Sequence, residues 1–85
     1  MPKVKPEAEE KRDFVKSLGP ERVVAIGNGN NDVLMIQEAA LGIGVLGHEG
    51  ISGGCIQVAD VIVQTPRDGL DLLLKPLRLV ATLRG

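Results

Sequence analysis

"RVVAIGNGNNDVLMIQEAALGIGVLG", Arg22 to Gly47, passes from a β-branched run to a polar glycine-asparagine loop, then to a helix-like apolar run and a second small-residue run. Arg22–Ile26 shows no alternation of apolar and polar residues, so it reads as a strand buried on both faces, as in a parallel sheet. The helix that follows the loop starts near Asn31 or Asp32, with its body over Val33–Leu41 and Gly42 as its end. Asn and Asp suit the cap position because a short side-chain oxygen accepts the free amides of a first turn. Ile43–Gly47 is then a second strand.

Outward from this unit the pattern repeats. Residues 1–6, with Pro2 and Pro6, read as a loose lead-in. A helix is expected from Pro6 to Leu18, where Ala8, Lys11 (by its stem), Phe14, Val15 and Leu18 recur at helical spacing, and Gly19-Pro20 stops it. Beyond Gly47 the glycine-rich "HEGISGGC" leads into about one helical turn within Ile51–Val58, and Asp60–Gln64 is a third strand. Thr65 as cap, Pro66 at the first helical position and Asp68 at the capping-box position start a last helix. Its leucines at 70, 72, 73, 74, 77, 79 and 83 supply a core face with some to spare, and Pro76 is expected to break or kink it. Strands alternating with helices imply an α/β fold: a three-layer, Rossmann-like arrangement with a parallel sheet of about three strands and helices on both faces. One domain over residues 1–85 is the expectation for this length.

The formal net charge is −1, and residues 1–22 hold eleven of the 21 charged side chains. From Val23 to Pro66 there is no Lys or Arg, and Phe14 is the single aromatic residue. Nucleic-acid binding needs cationic surface and, for single strands, stacking rings, so it is not expected. No apolar run reaches the roughly 18 residues of a membrane span, and the charged start does not read as a secretory signal. Cys55, the one cysteine, has no disulfide partner and reads as a small buried or half-buried thiol. Together these point to a cytoplasmic location. His48, in the glycine-rich loop, reads as a surface histidine because a general base needs a positioned partner.

The loop Gly27–Asp32 lies at the carboxyl end of a strand and the start of a helix, where ligands bind in open α/β sheets. Gly27 and Gly29 allow a sharp turn and close approach, and Asp32 has the hard oxygen ligands that suit Mg²⁺ if others join it. It is not a dinucleotide fingerprint, since Asp32 stands where the third glycine would be, and no Gly-Lys-Ser/Thr follows to make a P-loop. From spacing alone, a helix-capping turn and a ligand site both remain open.

"VVAIGNGNNDVLMIQEAALGIGV" resembles the fourth signature of the haloacid dehalogenase superfamily, G-D-G-x-N-D followed by an apolar helix and a small-residue strand. The likeness is strongest to the phosphorylation domain of P-type ATPases and to small soluble phosphatase-like relatives, and "ADVIV" and "LLLKPLRLVATLR" continue it. The resemblance implies that Asp32 binds Mg²⁺, that Asn31 is the adjoining Asn, and that Gly27, Asn28, Gly29 and Asn31 form the phosphate loop. Asn28 stands where the family usually has another Asp, which removes a charge and weakens the metal corner. "EEKRDFVKSLG" resembles the third signature, in which Lys11 matches the lysine that neutralises the phosphoaspartate. Lys11 also reads as one solvated charge on a charged helix face.

The family's nucleophile comes from a D-x-D motif, and no Asp-x-Asp triplet occurs in this sequence. Ser17, Ser52, Thr65 and Thr82 sit in the wrong contexts for the second signature. The resemblance therefore implies the C-terminal half of such a core, with a partial Mg²⁺ and phosphate site and no turnover alone. Two other readings stand beside it: a Mg²⁺-dependent phosphatase or ATPase-like hydrolase whose aspartate comes from another chain or a longer native protein, and a structural oligomer. In each, the open edge of Arg22–Ile26 or the leucine-rich C-terminal helix is expected to drive self-association.

Overall fold

In the computed structural model, which describes residues 6–74, the chain runs α1 (Glu7–Leu18), a 3-10 turn (Pro20–Arg22), β1 (Val24–Gly27), a second 3-10 turn (Asn30–Asp32), α2 (Val33–Glu38), β2 (Leu41–Val45), α3 (Gly53–Val58), β3 (Val61–Val63) and α4 (Pro66–Leu74). The three strands pair in parallel in the order β1-β2-β3, which is the α/β architecture expected from the alternation of elements.

The register shows how both faces are covered. Ala25 lies opposite Gly42, and Gly27 opposite Gly44 and then Ile62, on one face; Ile26, Ile43 and Val61 line the other. The first face carries α2 and α3, where Ala25, Ile36 and Cys55 form a buried cluster with Val33, Met35, Ile51 and Val58 around it. The second carries α4, whose Gly69 lies against Ile43, Ile26 and Val63. Ile43 in the middle strand is fully buried.

Element boundaries depart from the sequence reading at several points, each for a backbone reason. The first strand starts at Val24 rather than Arg22, because the Gly19-Pro20 stop winds into a 3-10 turn in which Arg22 N–H donates to Gly19 O at 2.9 Å. The helix after the loop ends at Glu38, not Leu41. Ala40 N–H donates to Pro20 O at 2.9 Å, in the turn that precedes β1, so this stretch is captured by partners distant in sequence. Leu41 and Gly42 therefore belong to β2, and Gly42 is a strand residue rather than a helix stop. The second strand is Leu41–Val45 instead of Ile43–Gly47, and the third is Val61–Val63, inside the expected Asp60–Gln64.

The helical turn expected within Ile51–Val58 is α3, started by Ser52, whose hydroxyl accepts from Cys55 N–H at 3.1 Å. Thr65 Oγ1 likewise accepts from Asp68 N–H at 3.1 Å at the start of α4. In α1 the expected apolar stripe is only partly used. Val15 is buried, while Phe14 is 64% and Leu18 53% exposed, since α1 meets chiefly the short α2 and the turn before it. Of the leucines of α4, Leu72 is buried and Leu70 and Leu74 are exposed. Residues 1–5 of the expected lead-in, the break expected at Pro76, and Leu77, Leu79 and Leu83 lie outside the described residues.

Gly42 makes the close approach of α2 possible. A Cβ there would lie against the Ile36 side chain and 2.7 Å from its carbonyl oxygen, which is backbone and does not yield. Gly42→Ala is expected to lower unfolding free energy by about 1–3 kcal/mol through overpacking. Gly53→Ala, where a Cβ meets nothing within 4 Å, is expected to cause no loss, and urea unfolding of both variants reads the difference.

Candidate functional site

At the carboxyl end of β1 the chain turns through Gly27–Asn28–Gly29 and tightens into the 3-10 turn, where Asp32 N–H donates to Gly29 O at 3.0 Å. This turns the Asp32 carboxylate back over the loop. Oδ2 accepts the backbone N–H of Asn28 and that of Gly29, both at 3.1 Å. The first turn of α2 is not capped by the Asp32 side chain, so the capping role expected for it is replaced by a backward one. Gly27 is required beneath it: a Cβ there would come within 2.6 Å of the Asp32 side chain.

Lys11, 21 residues earlier on α1, donates from Nζ to Asp32 Oδ1 at 2.7 Å. Glu7, one helical turn before it, brings Oε1 to 3.3 Å of the same ammonium. The Lys11 side chain is 35% exposed and that of Asp32 14%, so the pair is partly shielded from solvent. Asn31 is exposed, and its Nδ2 donates to Glu7 Oε2 at 3.1 Å. Six residues are thus gathered from two distant segments: Gly27, Asn28, Gly29 and Asp32 in the loop, Asn31 on its rim, and Lys11 above it.

The electrostatics follow from these contacts. The hydrogen bond to Asp32 holds the Lys11 ammonium above its ordinary value, against the effect of burial and with Glu7 assisting. Partial burial pushes the Asp32 carboxyl up. The Lys11 hydrogen bond, the Gly29 and Asn28 amides and the Lys11 charge outweigh it, and the net shift is downward. Both groups are held in their charged forms.

Two contributors escaped sequence reading. Glu7 was legible in principle from its i,i+4 spacing to Lys11. The support from α3 was not: Ser52 N–H donates to Asn28 O at 2.8 Å, and buried Cys55 Sγ to Gly29 O at 3.1 Å, contacts that only the tertiary fold creates. His48 is exposed, in line with its reading as a surface residue.

Sequence likenesses to known proteins are of two kinds. The chain is 48% identical over 64 residues to the uncharacterized protein MJ0073 of Methanocaldococcus jannaschii, covering 75% of this chain and 69% of that one, and it belongs to the family of that protein. It is also 49% identical over 39 residues to the phospholipid-transporting ATPase tat-1 of Caenorhabditis elegans, and 57% identical over 30 residues to phospholipid-transporting ATPase 2 of Arabidopsis thaliana. These matches take in 46% and 35% of this chain but only 3% of each transporter. No family model and no solved structure matches the chain.

The ion pair makes stability depend on pH at both ends. With its folded pKa depressed, Asp32 contributes fully above the unfolded carboxyl value of about 4 and loses that contribution as pH falls through the folded value. With its folded pKa raised, Lys11 contributes fully below ~10.4 and loses it as pH rises further. Asp32→Asn is expected to cost about 1–2 kcal/mol between about pH 5 and 9, low in the range for charged hydrogen bonds because Lys11 is partly exposed. Thermal unfolding across pH checks this: the gap between wild type and variant closes in acid.

Proposed function

We propose that the chain is one half of a phosphoryl-transfer core of the haloacid dehalogenase type, akin to the phosphorylation domain of P-type ATPases, and does not turn over substrate by itself. The observation that carries this reading is the meeting of Lys11 and Asp32 at 2.7 Å at the carboxyl end of β1, across 21 residues of sequence. A lysine of a charged helix and an aspartate of a glycine-asparagine loop are the two groups that the third and fourth signatures bring together, and here the fold unites them. The local identity with two phospholipid-transporting ATPases supports the same reading.

In this proposal Lys11 offers an ammonium to a phosphoryl oxygen, where charge accumulates during transfer, and Asp32 fixes the direction in which it points. The loop amides of Asn28 and Gly29 hold Asp32 and so keep that geometry. The nucleophile has no candidate, since the sequence contains no Asp-x-Asp triplet. The Mg²⁺ implied by the family meets a poor donor set: one carboxylate already bonded to an ammonium, a neutral Asn28, and no cluster of three or more His, Cys, Asp or Glu among the described residues. These residues do not fit a metal site on their own.

The position of β1 favours a second reading on the same core, in which a partner segment supplies the aspartate. Among the described residues β1 is an edge strand, and its Val24 is exposed. An edge of that kind pairs with another strand, from a partner or from a second copy. No helix among the described residues is long and apolar enough to cross a membrane.

The pure chain is expected to hydrolyse an aryl phosphate no faster than buffer, with or without Mg²⁺; turnover that Asp32→Ala abolishes defeats the proposal. Sedimentation at micromolar concentration is expected to show a dimer or larger species. A monomer across that range removes self-association while leaving the half-core reading intact.

A further inference from the structure

We infer that Lys11 is the resident cation of this corner and that it keeps Mg²⁺ away from Asp32. The inference rests on the half-core reading above, which is what brings Mg²⁺ into question, and it turns the misfit of the donor set into a property of the chain.

Both Asp32 oxygens are occupied from within. Oδ1 takes the Lys11 ammonium at 2.7 Å, and Oδ2 takes the two amides at 3.1 Å. Mg²⁺ demands oxygen ligands at about 2.0–2.1 Å in near-octahedral order. To reach Oδ1 it must displace the ammonium or share the carboxylate with it, and two cations held about 4 Å apart in a partly shielded site repel strongly. To reach Oδ2 it must break the amide contacts that shape the loop. Asn28 brings no charge to offset either loss, and the Asn31 amide group is turned toward Glu7.

Glu7 shows the other side of the arrangement. Its Oε1 lies 3.3 Å and Asp32 Oδ1 2.7 Å from the same Nζ. The ammonium therefore sits where two carboxylates converge, in the place that a small cation would otherwise take. Tethered to α1, it needs no recruitment from solution, whereas a dissolved ion does. Lys11 thus sets the selectivity of the corner: the half-site keeps its geometry without metal, and a metal ion would need further ligands from outside the described residues.

The test is a Mg²⁺ titration of the full chain, followed by amide shifts at constant ionic strength and taken to about 20 mM, well above the range of good oxygen sites. Wild type is expected to show no saturable shift at Gly27–Asp32. Lys11→Ala is expected to show one, with a Kd at least about tenfold lower than any wild-type limit, because the like charge is gone and two carboxylates remain. Lys11→Arg, which keeps the charge, is expected to stay silent. Should Lys11→Ala lose its dispersed spectrum, Lys11→Gln retains an amide donor for Asp32 and carries the same expectation. Saturable binding by wild type overturns the inference, and so does silence in both neutral variants. Neither result touches the half-core reading, which fails only through turnover by the pure chain.

Discussion

The Asp32 carboxylate is the point on which the geometry of the site depends. It accepts three hydrogen bonds from two parts of the chain: the loop amides of Asn28 and Gly29, and the ammonium of Lys11 on the first helix. Each contact is charge-assisted and stronger than a neutral one. The loop amides alone would define a turn. Adding Lys11 ties that turn to a helix that otherwise buries one residue, Val15. The same carboxylate therefore shapes the loop, docks α1 and directs the Lys11 ammonium that meets it.

This arrangement is possible because the sheet is narrow and its strands carry glycine where helices must come close. Gly42 admits Ile36, and Gly44 lies against Ile51 and Ala59. Gly27 leaves room for Asp32 itself, so one packing rule serves both the core and the site. In a strand, glycine sacrifices conformational entropy and side-chain packing. The return here is that the α2–α3 layer sits almost on the backbone of β2, which lets six-residue helices cover it.

Much of this was legible in the residues. The alternation of β-branched runs with helix-like runs was enough for a parallel α/β sheet, and Thr65-Pro66 located the start of α4. The loop residues and Lys11 stood out through the resemblance to two signatures, and their meeting at 2.7 Å is what the fold adds. The misread places share one cause: local propensity was overruled by partners distant in sequence. "QEAAL" has strong helical propensity, yet Ala39 is extended and Ala40 donates to Pro20, because the ladder with β1 claims Leu41. Phe14 looked like a core residue by its period, but among the described residues α1 packs mainly on the short α2 and the turn before it, and Phe14 stays exposed. The backward turn of Asp32 was likewise invisible, since a cap and a loop clamp use the same residue type at the same position.

The α3 segment has a less obvious bearing on the loop. Ser52 N–H holds the carbonyl of Asn28, Cys55 Sγ that of Gly29, and Gly54 lies so near Val33 that a Cβ would come within 2.9 Å of it. Loop, α2 and α3 are therefore cross-braced by contacts that do not involve Lys11. Segments braced in this way open as a cooperative unit rather than residue by residue. The thiol of Cys55, fully buried within that unit, is shielded from reagents for as long as the loop keeps its shape, so its accessibility is an internal clock for how often the glycine-asparagine loop comes undone.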